Sequence, residues 1–83
     1  MNVKILGTGC ASCKSMFNDV QRIIDRNQWN AEVEYVQDIA RIMSYGVMST
    51  PVLVIDEKVV MVGNHGSSKI ERVLRIAEDA RIR

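Results

Sequence analysis

Cys10 and Cys13 are the only cysteines in the chain, and they stand two residues apart in the stretch GTGCASCKSMF. Two thiols at that spacing can grip a soft metal ion, close a small loop, or exchange electrons as a dithiol and disulfide. A purely structural staple is disfavoured, because closing so short a loop removes little entropy from the unfolded chain. A structural zinc site falls short as well, since two cysteines and the single histidine, His65, do not make four protein ligands. A dinucleotide fingerprint fails at once, because Ser12 stands where the third glycine of the pattern belongs.

The surrounding elements decide where those thiols sit. NVKILG reads as a short strand ended by Gly7 and Gly9. From Cys13 to about Gln28, the apolar residues Met16, Phe17, Val20, Ile23 and Ile24 recur at helical spacing. AEVEYV alternates, with Ala31, Val33 and Tyr35 on one side, as a half-exposed or edge strand does. Asp38 is placed to cap a short helix carrying Ile39, Ile42 and Met43, which Gly46 would end. PVLVI and KVVMV then form a hairpin through Asp56 and Glu57, a turn without the usual glycine. Ser68 and Glu71 make a capping-box pattern for a last helix whose buried stripe is Ile70, Val73, Leu74 and Ala77.

The order is therefore βαβαββα: an α/β chain with a mixed four-stranded sheet and three helices, folded as one domain over residues 1–83. This layout puts Gly9 to Cys13 at the carboxyl end of a parallel strand and the amino end of a helix, where α/β sheets tend to react. There, unpaired backbone N–H groups and the positive end of the helix dipole favour a thiolate at Cys10. Ser12 is placed to add a hydrogen bond and Lys14 a positive charge. Cys13, one turn further on, is expected to be the more buried thiol. A reactive first thiol beside a second is what disulfide exchange requires.

At this point the sequence resembles the thioredoxin fold family, and in size the small thioredoxin-like and glutaredoxin-like proteins of archaea and bacteria. The resemblance rests on CASCK and on YGVMSTPVLVI, and covers nearly the whole length. It implies a thiol-disulfide oxidoreductase reducing protein disulfides, with Cys10 as nucleophile and Cys13 as resolving thiol. It also implies a cis proline at Thr50-Pro51 that faces the cysteines and binds substrate through its backbone, and no cofactor beyond the Cys10–Cys13 disulfide.

The departures from the family pattern are local. Ala11-Ser12 stands where thioredoxins carry Gly-Pro and glutaredoxins Pro-Tyr. Lys4 occupies the offset at which thioredoxins have a buried carboxylate; if it faced the site, it would stabilise thiolate. GNHGSS keeps only part of the turn through which glutaredoxins read glutathione, so protein disulfides and a reductase of the thioredoxin-reductase kind are the expected partners.

The alternative from another class is a small copper carrier using the same cysteine pair. Heavy-metal-associated domains share the spacing, but place Met where Thr8 stands and end on a strand rather than a helix. Composition adds exclusions. A net charge of +1 gives no electrostatic footprint for nucleic acid or an anionic membrane. Met1 runs directly into NVKIL, too short for a signal-peptide core, which carries the expectation of a cytoplasmic protein; a monomer is expected. His65 reads as an ordinary loop histidine, Trp29 as a lid on the sheet edge, and Met43, Met48 and Met61 as core filler first, with lining of a partner groove near Thr50-Pro51 as the alternative.

Overall fold

A computed structural model describes residues 1–82, with side chains through residue 80. The elements run β1 (Asn2–Leu6), α1 (Ala11–Asn27), β2 (Glu32–Val36), α2 (Ile39–Ser44), β3 (Val52–Ile55), β4 (Lys58–Val62) and α3 (Ser67–Ile82). The sheet order is β2-β1-β3-β4. β1 is parallel to β2 and antiparallel to β3, and β4 pairs antiparallel with β3.

Each face of the sheet carries its own apolar cluster. On one, Val3, Ile5 and Leu53 pack against Met16, Val20 and Ile23 of α1 and Ile70 and Leu74 of α3. On the other, Leu6, Val52 and Val54 meet Val36 of β2 and Ile42 of α2. The two central strands are thus covered on both sides, and β3 is buried at every position. Burying one such side chain stabilises by roughly 1.5–3 kcal/mol.

Helix α1 begins at Ala11, two residues before the sequence-based expectation, because Cys10 serves as its N-cap. The Cys13 N–H donates to Cys10 Sγ at 3.3 Å, so a sulfur takes the place of the usual cap oxygen. The helix closes at Gln28, left-handed with φ 56°. The Gln28 and Trp29 N–H groups donate back to the carbonyls of Asp25 and Ile24, both at 3.2 Å, in the Schellman pattern. Trp29 then folds onto the α1/α3 cluster, with the Arg75 guanidinium 5.6 Å above its ring.

Two expectations need correction. Ser68 does not cap α3: the helix starts at Ser67, and the Ile70 N–H donates to the Gly66 carbonyl at 3.2 Å. Glu71 instead reaches across to α1, accepting from Arg26 at 2.7 Å and Asn27 at 3.3 Å, and also from Arg75 at 3.1 Å. Met43 and Met48 are not core filler but 55% and 91% exposed; among the three methionines, only Met61 is buried. On α2, six residues long, only Ile42 turns inward. The hairpin turn is closed by two non-glycine residues, Asp56 and Glu57, at φ 49° and 69°.

Candidate active site

β1 runs out at Leu6, and Gly7 keeps the chain in the sheet for one more step by donating its N–H to the Val36 carbonyl at 2.9 Å. Gly9, at φ 89°, then turns the backbone into the start of α1. This places Cys10 at the helix cap, exposed, and Cys13 one turn on with no accessible surface. The two are joined as a disulfide, with Cα atoms 5.1 Å apart, well inside the range such bonds span.

The burial of Cys13 depends on Gly7. A Cβ on Gly7 would lie 2.6 Å from Cys13 Sγ and 2.7 Å from its Cβ, closer than atoms pack. The glycine is therefore needed for space and not for backbone freedom. In the sequence, Gly7 marks only the end of a strand.

Thr50-Pro51 is a cis peptide bond, and Pro51 is buried. The last β1–β3 pair is Leu6 with Val52, so Gly7 and Pro51 stand one step beyond it at the same end of the sheet. The Pro51 carbonyl accepts from the Gly63 N–H at 2.7 Å, which ties the segment to the end of β4. Asn64, which follows, donates to the Ser12 carbonyl at 3.4 Å and accepts from the Gly66 N–H at 3.0 Å. It links the first turn of α1 to the approach to α3, a role no sequence signal announced.

Lys4 is not brought to the cysteines. It shares the α2 face of the sheet with Leu6, and its ammonium is held by Glu57 on the β3–β4 turn and by Asn2 Oδ1 at 2.7 Å. The Glu57 hydrogen bond raises the Lys4 pKa against the opposing effect of burial, and the same bond lowers that of Glu57. Alternation along β1 accounts for this: Gly7 shares the α1 face with Val3 and Ile5, and Lys4 falls on the other. The hydrogen bond to Cys10 Sγ comes from the Cys13 backbone rather than from the Ser12 hydroxyl. Lys14 is exposed on the first turn, and its N–H makes the first helical bond to the Cys10 carbonyl at 3.0 Å. His65 is exposed, with Nε2 2.9 Å from the Val62 carbonyl.

Among the described residues, no three side chains of His, Cys, Asp or Glu converge as metal ligands. The final element is helix α3, not the strand on which the copper-carrier alternative depended. No described helix is long and apolar enough to cross a membrane.

The comparisons agree with this geometry. A thioredoxin from Methanothermobacter thermautotrophicus is 27% identical over 75 residues, an alignment covering 89% of this chain and 97% of that protein. The solved structure of thioredoxin 1 from the thermophilic eubacterium Thermosipho africanus superposes with a TM-score of 0.72 at 18% identity, covering all of both chains, and shares the fold. The sequence pattern of the Thioredoxin domain family matches residues 1–75, and the chain belongs to that family, whose general chemistry is thiol-disulfide oxidoreduction.

Proposed function

We propose that this protein reduces disulfides in other proteins through the Cys10–Cys13 dithiol. The observation that carries the reading is the asymmetry of the two sulfurs: Cys10 exposed at the start of α1, Cys13 buried behind it and within bonding reach.

In the reduced protein, the N-terminal N–H groups of α1 stabilise negative charge on Cys10. Its thiolate attacks one sulfur of a substrate disulfide; that bond breaks, and the other substrate sulfur leaves with the electron pair and takes a proton. Cys13 then gives up its proton and attacks Cys10 Sγ of the mixed disulfide. The second substrate sulfur leaves, and the Cys10–Cys13 bond is made. The substrate gains two electrons and the dithiol loses them. An extended substrate segment pairs with the backbone at Thr50-Pro51. Lys14 adds positive charge on the exposed side of the helix start.

The electrons are restored by a reductase of the thioredoxin-reductase kind, and the protein acts as a cytoplasmic monomer without a bound cofactor. The test of the roles is trapping. Cys13→Ser, which leaves Cys10 free to attack but cannot resolve, accumulates mixed disulfides with target proteins, and Cys10→Ser does not. Equal trapping by both variants would reject the assignment.

A further inference from the structure

Tyr35 lies on β2 beside Ile5 of β1, on the sheet face that packs under α1. Its ring stacks on Phe17 of α1 with centroids 5.4 Å apart. The far end of the ring reaches toward the cysteines: a methyl group at Gly7 would meet Tyr35 Cε1 at 3.5 Å and Cys13 Sγ at 2.6 Å. Cε1 is bonded to the carbon that carries the hydroxyl, so the ring edge next to the hydroxyl borders the same spot as the buried sulfur.

The hydroxyl oxygen is shut off from solvent and has no hydrogen-bond partner among the described residues. Leaving such a group unsatisfied costs roughly 1–3 kcal/mol, and phenylalanine would fill the same space without that cost. Folded proteins tolerate few such groups, and each calls for a reason. The disulfide supplies one. A sulfur in an S–S bond is a poor acceptor, whereas a buried thiolate, penalised by loss of water, needs a donor.

We infer that the Tyr35 hydroxyl donates a hydrogen bond to Cys13 in the reduced protein and stabilises the thiolate that resolves the mixed disulfide. The inference rests on the oxidoreductase reading above and deepens it. In the resolving step Cys13 gives its proton to water and attacks Cys10 Sγ; the substrate sulfur departs with the electron pair and takes a proton from water. Tyr35 keeps its own proton throughout and answers the charge while it resides on Cys13. The charged groups of the packed elements are placed elsewhere. Lys4 and Glu34 of β1 and β2 are engaged by Glu57 and Arg41 respectively. Lys14 of α1 is exposed, and Asp19 of α1 pairs with Arg22. The other titrating group at the site is Cys10 itself.

Tyr35→Phe keeps the ring and removes only the hydroxyl. With 13C-labelled cysteine in the reduced protein, the Cβ resonances follow Cys13 separately from Cys10 across pH. The Cys13 midpoint rises by about one pH unit in the variant, and release of reduced substrate from the mixed disulfide slows about threefold at neutral pH, because the smaller thiolate fraction is partly offset by a more nucleophilic thiolate. A packing role alone would lower the melting temperature without moving that midpoint. In the unaltered protein, the Tyr35 Cζ resonance shifts on reduction and follows the Cys13 titration, a reading that does not depend on how the variant folds. An unchanged Cys13 midpoint, or a Cζ resonance indifferent to reduction, overturns the inference. Failure of the oxidoreductase reading looks different: the unaltered protein would then form no mixed disulfide with a substrate such as insulin.

Discussion

Gly7 and Cys13 occupy one volume between them: the sulfur of Cys13 fills the place where a side chain on Gly7 would begin, 2.6 Å from the position of its Cβ. The resolving thiol is buried because the last residue of the β1 line has no side chain. Gly7→Ala forces the first turn of α1 away from the sheet. The expected cost is about 1–3 kcal/mol, typical of overpacking a core, or roughly 4–8 °C of melting temperature per kcal/mol in a domain of this size. Thermal unfolding of the oxidised protein reads it directly.

Gly9 is a glycine for the opposite reason. At φ 89° it holds a conformation that side chains disfavour, while the nearest atom to an added Cβ is Gln37 Nε2 at 3.6 Å. Gly9→Ala therefore costs about 1–2 kcal/mol in backbone strain with no steric conflict at Cys13. Hydrogen exchange at the start of α1 is expected to rise while the packing around Cys13, followed by its methylene resonances, is retained.

The Lys4–Glu57 pair gives stability a pH dependence at both extremes. Glu57 titrates below the usual carboxylate range because Lys4 hydrogen-bonds its charged form. Its contribution is therefore present above that range and lost as pH falls through the folded-state value. Lys4 titrates above its ordinary value through the same bond, so its contribution is present below the usual lysine range and lost as pH rises through the folded-state value. Because one bond shifts both groups, Glu57→Gln and Lys4→Met each flatten both the acid and the alkaline limb of the stability curve, measured by urea unfolding across pH. Since Lys4 lies across the sheet from the cysteines, Lys4→Met leaves the reduction potential of the disulfide where it is. A shift would show that its charge reaches the thiols after all.

Helix α2 connects β2 to the Thr50-Pro51 segment and is held by little: Ile42 is its one buried residue, and the Asp38 side chain caps it by accepting from the Ala40 N–H at 3.0 Å. Asp38→Ala is expected to cost about 0.5–2 kcal/mol and to raise hydrogen exchange at Ala40 first, ahead of the residues of β3.

Much of this architecture was legible because periodicity is a direct consequence of packing. The helical stripe of α1 and the alternation of β2 survive in the sequence, and the cysteine spacing points to Cys10 and Cys13 without any structure. What was hidden has physical causes as well. Both faces of β1 are covered, so an alternating sequence pattern did not reveal that Lys4 and Gly7 lie on opposite sides. Ser68 and Glu71 matched a capping signature, but Gly66 at φ 97° brought the helix start forward and left Glu71 to bind Arg26. A cysteine is not among the residues that announce a helix cap, and so the role of Cys10 shifted α1 by two residues. Tyr35 was visible as one more residue of an edge strand; that its ring edge borders the Gly7–Cys13 contact is a matter of register and of an absent side chain at Gly7.

Cys10 and Cys13 are expected to form a reversible redox couple, and the decisive experiment is an equilibrium titration against defined ratios of reduced and oxidised dithiothreitol, with the species followed by mass. One two-electron transition between dithiol and intramolecular disulfide is expected, the same from either direction, with the reduced form competent to reduce insulin. Thiols that stay reduced across the range, or that oxidise only between molecules, would contradict it.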